Sequence, residues 1–83
     1  MSAVERFAGF CARHGYRSTA LQRALVHEIF NRRGEFTVEG LLALVILKGL
    51  AVSRATACRT LRILEEANMV ARNQETYTVR HCR

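Results

Sequence analysis

The stretch SRATACRTLRILEEANMV, residues 53–70, decides the predicted fold of this chain. Ser53 is a preferred helix N-cap, and Asn68 tolerates the left-handed conformation that ends many helices. At 100° per residue, the helix between them has two distinct faces. The inward face contains Ala57, Thr60, Leu61, Leu64 and Ala67, with Ile63 at its margin. The outward face contains Arg54, Ala55, Cys58, Arg59, Arg62, Glu65 and Glu66.

The outward face has two interpretations. It is either a solvated surface with charge pairs along the helix, such as Arg62 with Glu65 and Glu66, or a surface that binds a partner. Its first turns are basic and its acidic residues lie at the C-terminal end. A recognition helix enters the major groove of DNA with its N-terminal half, where glutamates would repel phosphate. The order of charges therefore suits a nucleic-acid partner.

Composition narrows the class of protein. The 83 residues predict one domain, residues 1–83, with a single small core. The formal net charge is +6, and Lys48 is the only lysine among 13 basic residues. Arginine pairs bidentately with phosphate and with guanine, so this surplus favours nucleic acid over a generally basic protein without a nucleic-acid role.

Several other classes of protein are not expected. The N-terminus MSAVERFAGF lacks an apolar signal-peptide core, and LLALVIL at 41–47 is shorter than the roughly 20 residues of a membrane span. The three cysteines are Cys11, Cys58 and Cys82. Their odd number and the lack of C-x-x-C spacing argue against a disulfide framework or a zinc site and indicate a reducing cytoplasm. The sequence contains no aspartate, glycine-rich phosphate loop or paired acid–base groups, so neither an enzyme nor a small-molecule substrate is expected.

Three further helices precede this stretch. Two begin with the spacing of a capping box, at the pairs Ser2/Glu5 and Thr19/Gln22. A third begins after Thr37 and contains LLALVIL, which is apolar almost all round, so periodicity alone leaves a strand open. Its length and the end signals at Thr37 and Gly49 favour a buried helix.

The residues after Asn68 predict a β-hairpin at about 69–81, because MVAR and TYTVR alternate in residue type around the polar turn NQE. Three or four helices followed by a hairpin form a winged helix-turn-helix, a mainly α fold with a small β-hairpin. In this fold the helix at about 53–67 is the recognition helix for the major groove. Arg72 and Arg80 lie on the hairpin, or wing, where backbone phosphates or a minor groove are accessible.

Four segments carry a family resemblance: Gly15-Tyr16-Arg17-Ser18-Thr19 with Gln22-Arg23, Thr37-Val38-Glu39-Gly40-Leu41, residues 53–61 and residues 67–70. They resemble the N-terminal DNA-binding domain of the ferric uptake regulator family of bacterial metal-dependent repressors. The resemblance implies a cytoplasmic transcriptional regulator that binds double-stranded DNA in a sequence-specific manner. The residues predicted to contact DNA are Arg17, Ser53, Arg54, Ala55, Thr56, Cys58, Arg59, Arg62, Arg72 and Arg80.

The chain also departs from the family pattern. One extra residue between Thr19 and Gln22 blurs the predicted start of the second helix. The family's tyrosine in the recognition helix is Cys58, and its histidine before the third helix, often a metal ligand, is matched by Phe36. The family's second half, which supplies dimerisation and sites for zinc, iron or manganese, is not in this sequence. We therefore expect a single domain of a longer protein or a stand-alone relative, without a cofactor and with at most weak self-association.

Three alternative interpretations of the sequence are less favoured. A metal site within the chain is not expected, because His14, His27 and the pair His81-Cys82 are scattered. A winged helix can also bind protein instead of DNA, and the 41–47 helix has more apolar surface than a small core easily covers. An oxidisable thiol at Cys58 is a further interpretation, but a small DNA-facing side chain is the simpler one.

Overall fold

The computed structural model describes residues 2–32 and 34–80, which form four α-helices and three short β-strands. The helices are α1 (Ala3–Arg13), α2 (Ala20–Phe30), α3 (Val38–Leu47) and α4 (Arg54–Glu66). The strands are β1 (Glu35–Phe36), β2 (Val70–Asn73) and β3 (Thr76–Val79). The predicted mainly helical fold with a C-terminal hairpin is confirmed, and residue 81 of the predicted wing lies outside the described residues.

Side chains at the predicted caps fix where the first two helices begin. The Ser2 hydroxyl accepts the Glu5 N–H at 3.1 Å, and the Glu5 carboxylate accepts the Ser2 N–H at 2.8 Å. Thr19 and Gln22 form the same reciprocal pair, with both bonds at 3.0 Å. The expectation that the inserted residue blurs the start of α2 is wrong, because a capping box needs only these two residues at a spacing of three.

The helices α1 and α4 end in the same way. Gly15 and Asn68 adopt the left-handed conformation, with φ of 72° and 60°. The N–H of the next residue then reaches back past the helix end, from Tyr16 to the Cys11 carbonyl and from Met69 to the Leu64 carbonyl, each at 2.8 Å. This is the Schellman arrangement, which satisfies carbonyls of the last turn and confirms the predicted helix stops.

The hairpin belongs to a three-stranded antiparallel sheet in the order β1-β3-β2. The turn of the hairpin consists of Gln74 and Glu75, whereas Asn73, predicted to be in the turn, pairs with Thr76 in the ladder. The strand β1 was not predicted, since two residues are too few to show a period. Phe36 of β1 lies opposite Tyr77 of β3, which ties the wing to the segment before α3.

The core lies beneath the inward face of α4, as predicted from its helical period. Ala57, Thr60, Leu61, Ile63 and Leu64 are all buried. The Thr60 hydroxyl donates to the Thr56 carbonyl at 2.8 Å, so this buried polar group is satisfied. The other fully buried side chains come from α1, α2, α3 and the residue before β2: Phe7, Cys11, Leu25, Val26, Ile29, Leu41, Val45 and Met69.

The 41–47 segment is helical, and it is only partly covered. Leu41 and Val45 are fully buried, whereas Ile46 is 67% exposed and Leu47 is 84% exposed. The expectation that this segment carries more apolar surface than the core covers is therefore confirmed. Across residues 2–32 and 34–80, no helix combines the length and the apolar character that crossing a membrane requires.

Candidate nucleic-acid interface

The outward face of α4 is exposed along its length. Arg54, Ala55, Cys58, Arg59 and Arg62 all lie on it, as the helical period predicted. Two of the predicted contact residues hold the start of this helix. The Ser53 hydroxyl accepts the Thr56 N–H at 3.1 Å and donates to the Thr56 hydroxyl at 3.0 Å. The cap satisfies a backbone donor of the first turn of α4, whose N-terminus carries the partial positive charge of the helix dipole.

One flank of α4 forms a cleft with the loop that follows α1. We call it the arginine groove; it has a volume of about 540 Å³ and is lined by Gly15, Tyr16, Arg17, Arg59, Arg62, Ile63 and Glu66. The predicted contact residue Arg17 thus lies in the same cleft as Arg59 and Arg62, although more than 40 positions separate it from them. Ion pairs in the described part of the chain join Lys48 to Glu28 and Arg54 to Glu39. Among these described residues, the three groove guanidinium groups have no ionic partner.

The acidic residue Glu66 also lines this groove, where it accepts hydrogen bonds from Tyr16. The Tyr16 hydroxyl donates to the Glu66 carboxylate, at 2.9 Å from Oε1 and 2.8 Å from Oε2. The hydrogen bond to this carboxylate raises the pKa of Tyr16. Within residues 2–32 and 34–80, the charge pairs considered for Arg62 with Glu65 and Glu66 are not formed. Among the described residues, the groove arginines therefore form no ion pair with Glu66, which lines the same groove.

The other flank of α4 faces the wing across a smaller pocket of about 180 Å³. Its lining comprises Val38, Glu39, Arg54, Cys58, Arg72, Glu75 and Tyr77. Here Arg54 Nη1 lies 2.6 Å from Glu39 Oε2, and both side chains are largely exposed. The Arg54 guanidinium holds the pKa of the Glu39 carboxyl below its ordinary value. An exposed pair of this kind stabilises little, so phosphate can displace Glu39 from Arg54 at small cost.

The two wing arginines occupy different places. Arg72 Nε donates to the Gln74 carbonyl at 2.8 Å, and its guanidinium lies 5.9 Å from the centre of the Tyr77 ring. These contacts hold Arg72 beside Arg54 and Cys58. Arg80 lies at the opposite end of β3 from the turn, where its N–H donates to the Met69 carbonyl at 2.8 Å. The structure brings Arg72 to the N-terminal half of α4, and Arg80 lines neither flank.

The residue at the family's histidine position does not suit a metal. Phe36 is buried, and its ring stacks on Tyr77 with the ring centres 5.8 Å apart. The described residues contain no group of three histidine, cysteine, aspartate or glutamate side chains that could hold a metal ion. His81 and Cys82 lie outside the described residues. At the position of the family's histidine, the described structure therefore offers a buried aromatic ring and no metal ligand.

The remaining histidines and cysteines have ordinary surroundings. The exposed His14 ring stacks on the Phe10 ring, with the ring centres 4.1 Å apart. Nε2 of the exposed His27 lies 3.1 Å from Nδ2 of Asn31. Cys58 is exposed on α4, whereas Cys11 is buried. Burial raises the pKa of the Cys11 thiol, which makes that group less reactive.

Three residues of this surface were not predicted. Tyr16 and Glu39 contact partners that are 50 and 15 positions away in the sequence, and Glu75 joins the pocket through the hairpin turn. Glu39 carries only one local signal, an acidic residue in the first turn of α3. Pairing across such distances depends on how the helices pack, which periodicity does not encode.

A helix with an exposed basic face, preceded by a second helix and a turn and followed by a β-hairpin, defines a winged helix-turn-helix domain. The sequence profile of the ferric uptake regulator family matches residues 13–81. The chain belongs to the ferric uptake regulator family, whose members are DNA-binding regulators and not enzymes. A comparison with curated proteins found no match to the chain.

Proposed function

We propose that this domain binds double-stranded DNA in a sequence-specific manner, as a cytoplasmic transcriptional repressor of bacteria. In this proposal α4 lies in the major groove, and the wing lies on the phosphate backbone. The observation that carries the proposal is the arginine groove, in which three guanidinium groups from two separate segments, unpaired among the described residues, line one side of an exposed helix. Guanidinium groups left free beside an exposed helix are suited to phosphates and guanine edges.

The side chains along α4 fit this orientation. Ala55 and Cys58 are small and exposed, so the first turns can approach base edges closely. Arg59 and Arg62 are three residues apart and therefore neighbours on one face. Glu65 and Glu66 lie in the last turn, where a recognition helix leaves the groove. Arg72, held on the wing, would meet the backbone on the other side of α4.

The proposal is tested by the salt dependence of binding. Fluorescence anisotropy with a random duplex should show affinity falling about a hundredfold between about 50 and 200 mM salt, as expected for about four phosphate contacts. The steepness arises because each contact releases condensed counterions from the DNA. Binding that is absent at low salt, or equally tight at both salt concentrations, would contradict the proposal.

A second candidate function is protein binding, favoured by the exposure of Ile46 and Leu47 at the end of α3. An apolar interface responds little to salt, which separates it from DNA binding in the same titration. Self-association through this surface is measured by light scattering at micromolar concentration. Under the DNA-binding proposal we expect a monomer or a weak dimer, and a tight dimer would favour the protein-binding function.

We also propose that metal ions do not control DNA binding by this chain. The buried Phe36 ring occupies the position of the family's histidine and offers no metal ligand. Duplex affinity measured with a chelator, and then with added zinc, iron(II) or manganese, should change by less than about twofold, since specific ligands and not surface charge create transition-metal affinity. A change of tenfold or more with one metal would reveal a site that involves other residues.

Cys58 provides a variant expected to gain affinity. Its side chain is shorter than the tyrosine that the family carries there, and the position is exposed, so Cys58→Tyr should leave the fold intact. The longer side chain with its hydroxyl should strengthen duplex binding or change the preferred sequence, because it can reach a phosphate or a base edge. Cys58→Phe is the matched control for the hydroxyl. Weaker binding of Cys58→Tyr would show that the helix needs a small residue at this position.

A further inference from the structure

The Glu66 carboxylate is held by a residue of another segment and not by an arginine of its own helix. Arg62 precedes Glu66 by four residues, a spacing that makes the two side chains neighbours on the helix surface. Glu66 instead accepts a hydrogen bond from the Tyr16 hydroxyl, whose oxygen lies 2.8–2.9 Å from both carboxylate oxygens. The contact joins the loop after α1 to the last turn of α4.

The position of Tyr16 is fixed by its surroundings. Its N–H donates to the Cys11 carbonyl at 2.8 Å, which requires the left-handed conformation of Gly15. Its ring lies 6.1 Å from the His14 ring and 6.3 Å from the Phe10 ring. These contacts orient the ring so that its hydroxyl reaches the Glu66 carboxylate. A hydrogen bond to an ionised carboxylate is roughly twice as strong as one between neutral groups.

We propose that Tyr16 is a positioning residue of the DNA-binding surface, which holds the Glu66 carboxylate so that the Arg62 guanidinium stays free for phosphate. The inference rests on the proposed DNA-binding function. Loss of the Tyr16 hydroxyl releases Glu66, which then pairs with Arg62 one turn away. The groove then loses one of the three cations that have no ionic partner among the described residues, and a carboxylate lies beside the DNA backbone.

Four proteins test this role: the unaltered chain, Tyr16→Phe, Glu66→Gln and the double variant. Tyr16→Phe keeps the ring and its stacking, so thermal melting should show an intact fold. Its affinity for a random duplex should fall about fivefold at physiological salt, with the salt slope reduced by about one unit, as expected for one lost phosphate contact. Glu66→Gln should bind equally or more tightly. The double variant should match Glu66→Gln, because no carboxylate remains to pair with Arg62.

Two results would overturn the proposal: Tyr16→Phe with unaltered affinity, or an equal loss when Tyr16→Phe is added to Glu66→Gln, which would place Tyr16 in contact with DNA. A second measurement is independent of DNA. The pKa of the Tyr16 hydroxyl, followed by NMR, should fall in Glu66→Gln because the carboxylate that raises it is gone. An unaltered pKa would show that the contact does not exist in solution. A chain that holds this contact but binds no duplex contradicts the proposed function, and with it the role of Tyr16.

Discussion

Arg59→Ala is expected to weaken duplex binding while leaving the fold intact. The side chain is exposed on α4 and lines the arginine groove without an ionic partner among the described residues, so its removal costs no packing. If Arg59 pairs with a guanine edge, the loss should be roughly 1–3 kcal/mol, with relaxed preference at that base pair. If it neutralises a phosphate, binding should weaken evenly across sequences and the salt slope should fall by about one unit.

Two further variants test whether the loss of affinity is specific to the arginine groove. Arg62→Ala should have a similar effect, because it lines the same groove. Arg13→Ala removes the same charge from the exposed end of α1, outside both flanks of α4, and should change affinity much less. Unaltered affinity of Arg59→Ala and Arg62→Ala, with the fold intact, would remove α4 from the DNA interface and favour the protein-binding function.

Leu61→Ala, unlike the arginine variants, should greatly reduce the free energy of unfolding. Leu61 is fully buried on the inward face of α4, opposite the exposed face that carries Arg59 and Arg62. Truncating a buried leucine costs roughly 2–5 kcal/mol in lost burial and a residual cavity. A domain of this size has a free energy of unfolding of about 4–12 kcal/mol, so the variant should lose a large fraction of its stability. Urea denaturation followed by circular dichroism measures the effect.

Leu47→Ala is the matched control for that experiment. The chemical change is the same, but Leu47 is 84% exposed, so its truncation should alter the free energy of unfolding by less than about 0.5 kcal/mol. Leu61→Ala should also reduce duplex binding in proportion to the unfolded fraction. Equal effects of the two substitutions on stability would contradict the burial of Leu61 and the exposure of Leu47.

The sequence predicted the helices, their caps and the two faces of α4 because each depends on residues within a few positions. Ser2 with Glu5, and Thr19 with Gln22, satisfy backbone donors of the same turn. The burial of Leu61 and the exposure of Arg59 follow from the helical period alone. The hairpin was also predictable, since alternation and a polar turn are local features.

The relations between segments were not predictable in the same way. β1 consists of two residues, and it is a strand only because β3 supplies hydrogen-bonding partners 41 positions later. The contact of Tyr16 with Glu66 depends on how the loop after α1 packs against α4. The family resemblance suggested Arg17 as a DNA contact, but its place beside Arg59 and Arg62 emerged only from the packing.

An NMR titration of the ¹⁵N-labelled chain with a short duplex tests most directly whether the outward face of α4 binds DNA. Amide shifts should change along residues 53–62, in the loop at 15–19 and on the wing near Arg72, because these segments surround the arginine groove and the wing pocket. The amides of Ile46 and Leu47 should stay unchanged. Shift changes concentrated at Ile46 and Leu47, with residues 53–62 unaffected, would contradict DNA binding by the outward face of α4.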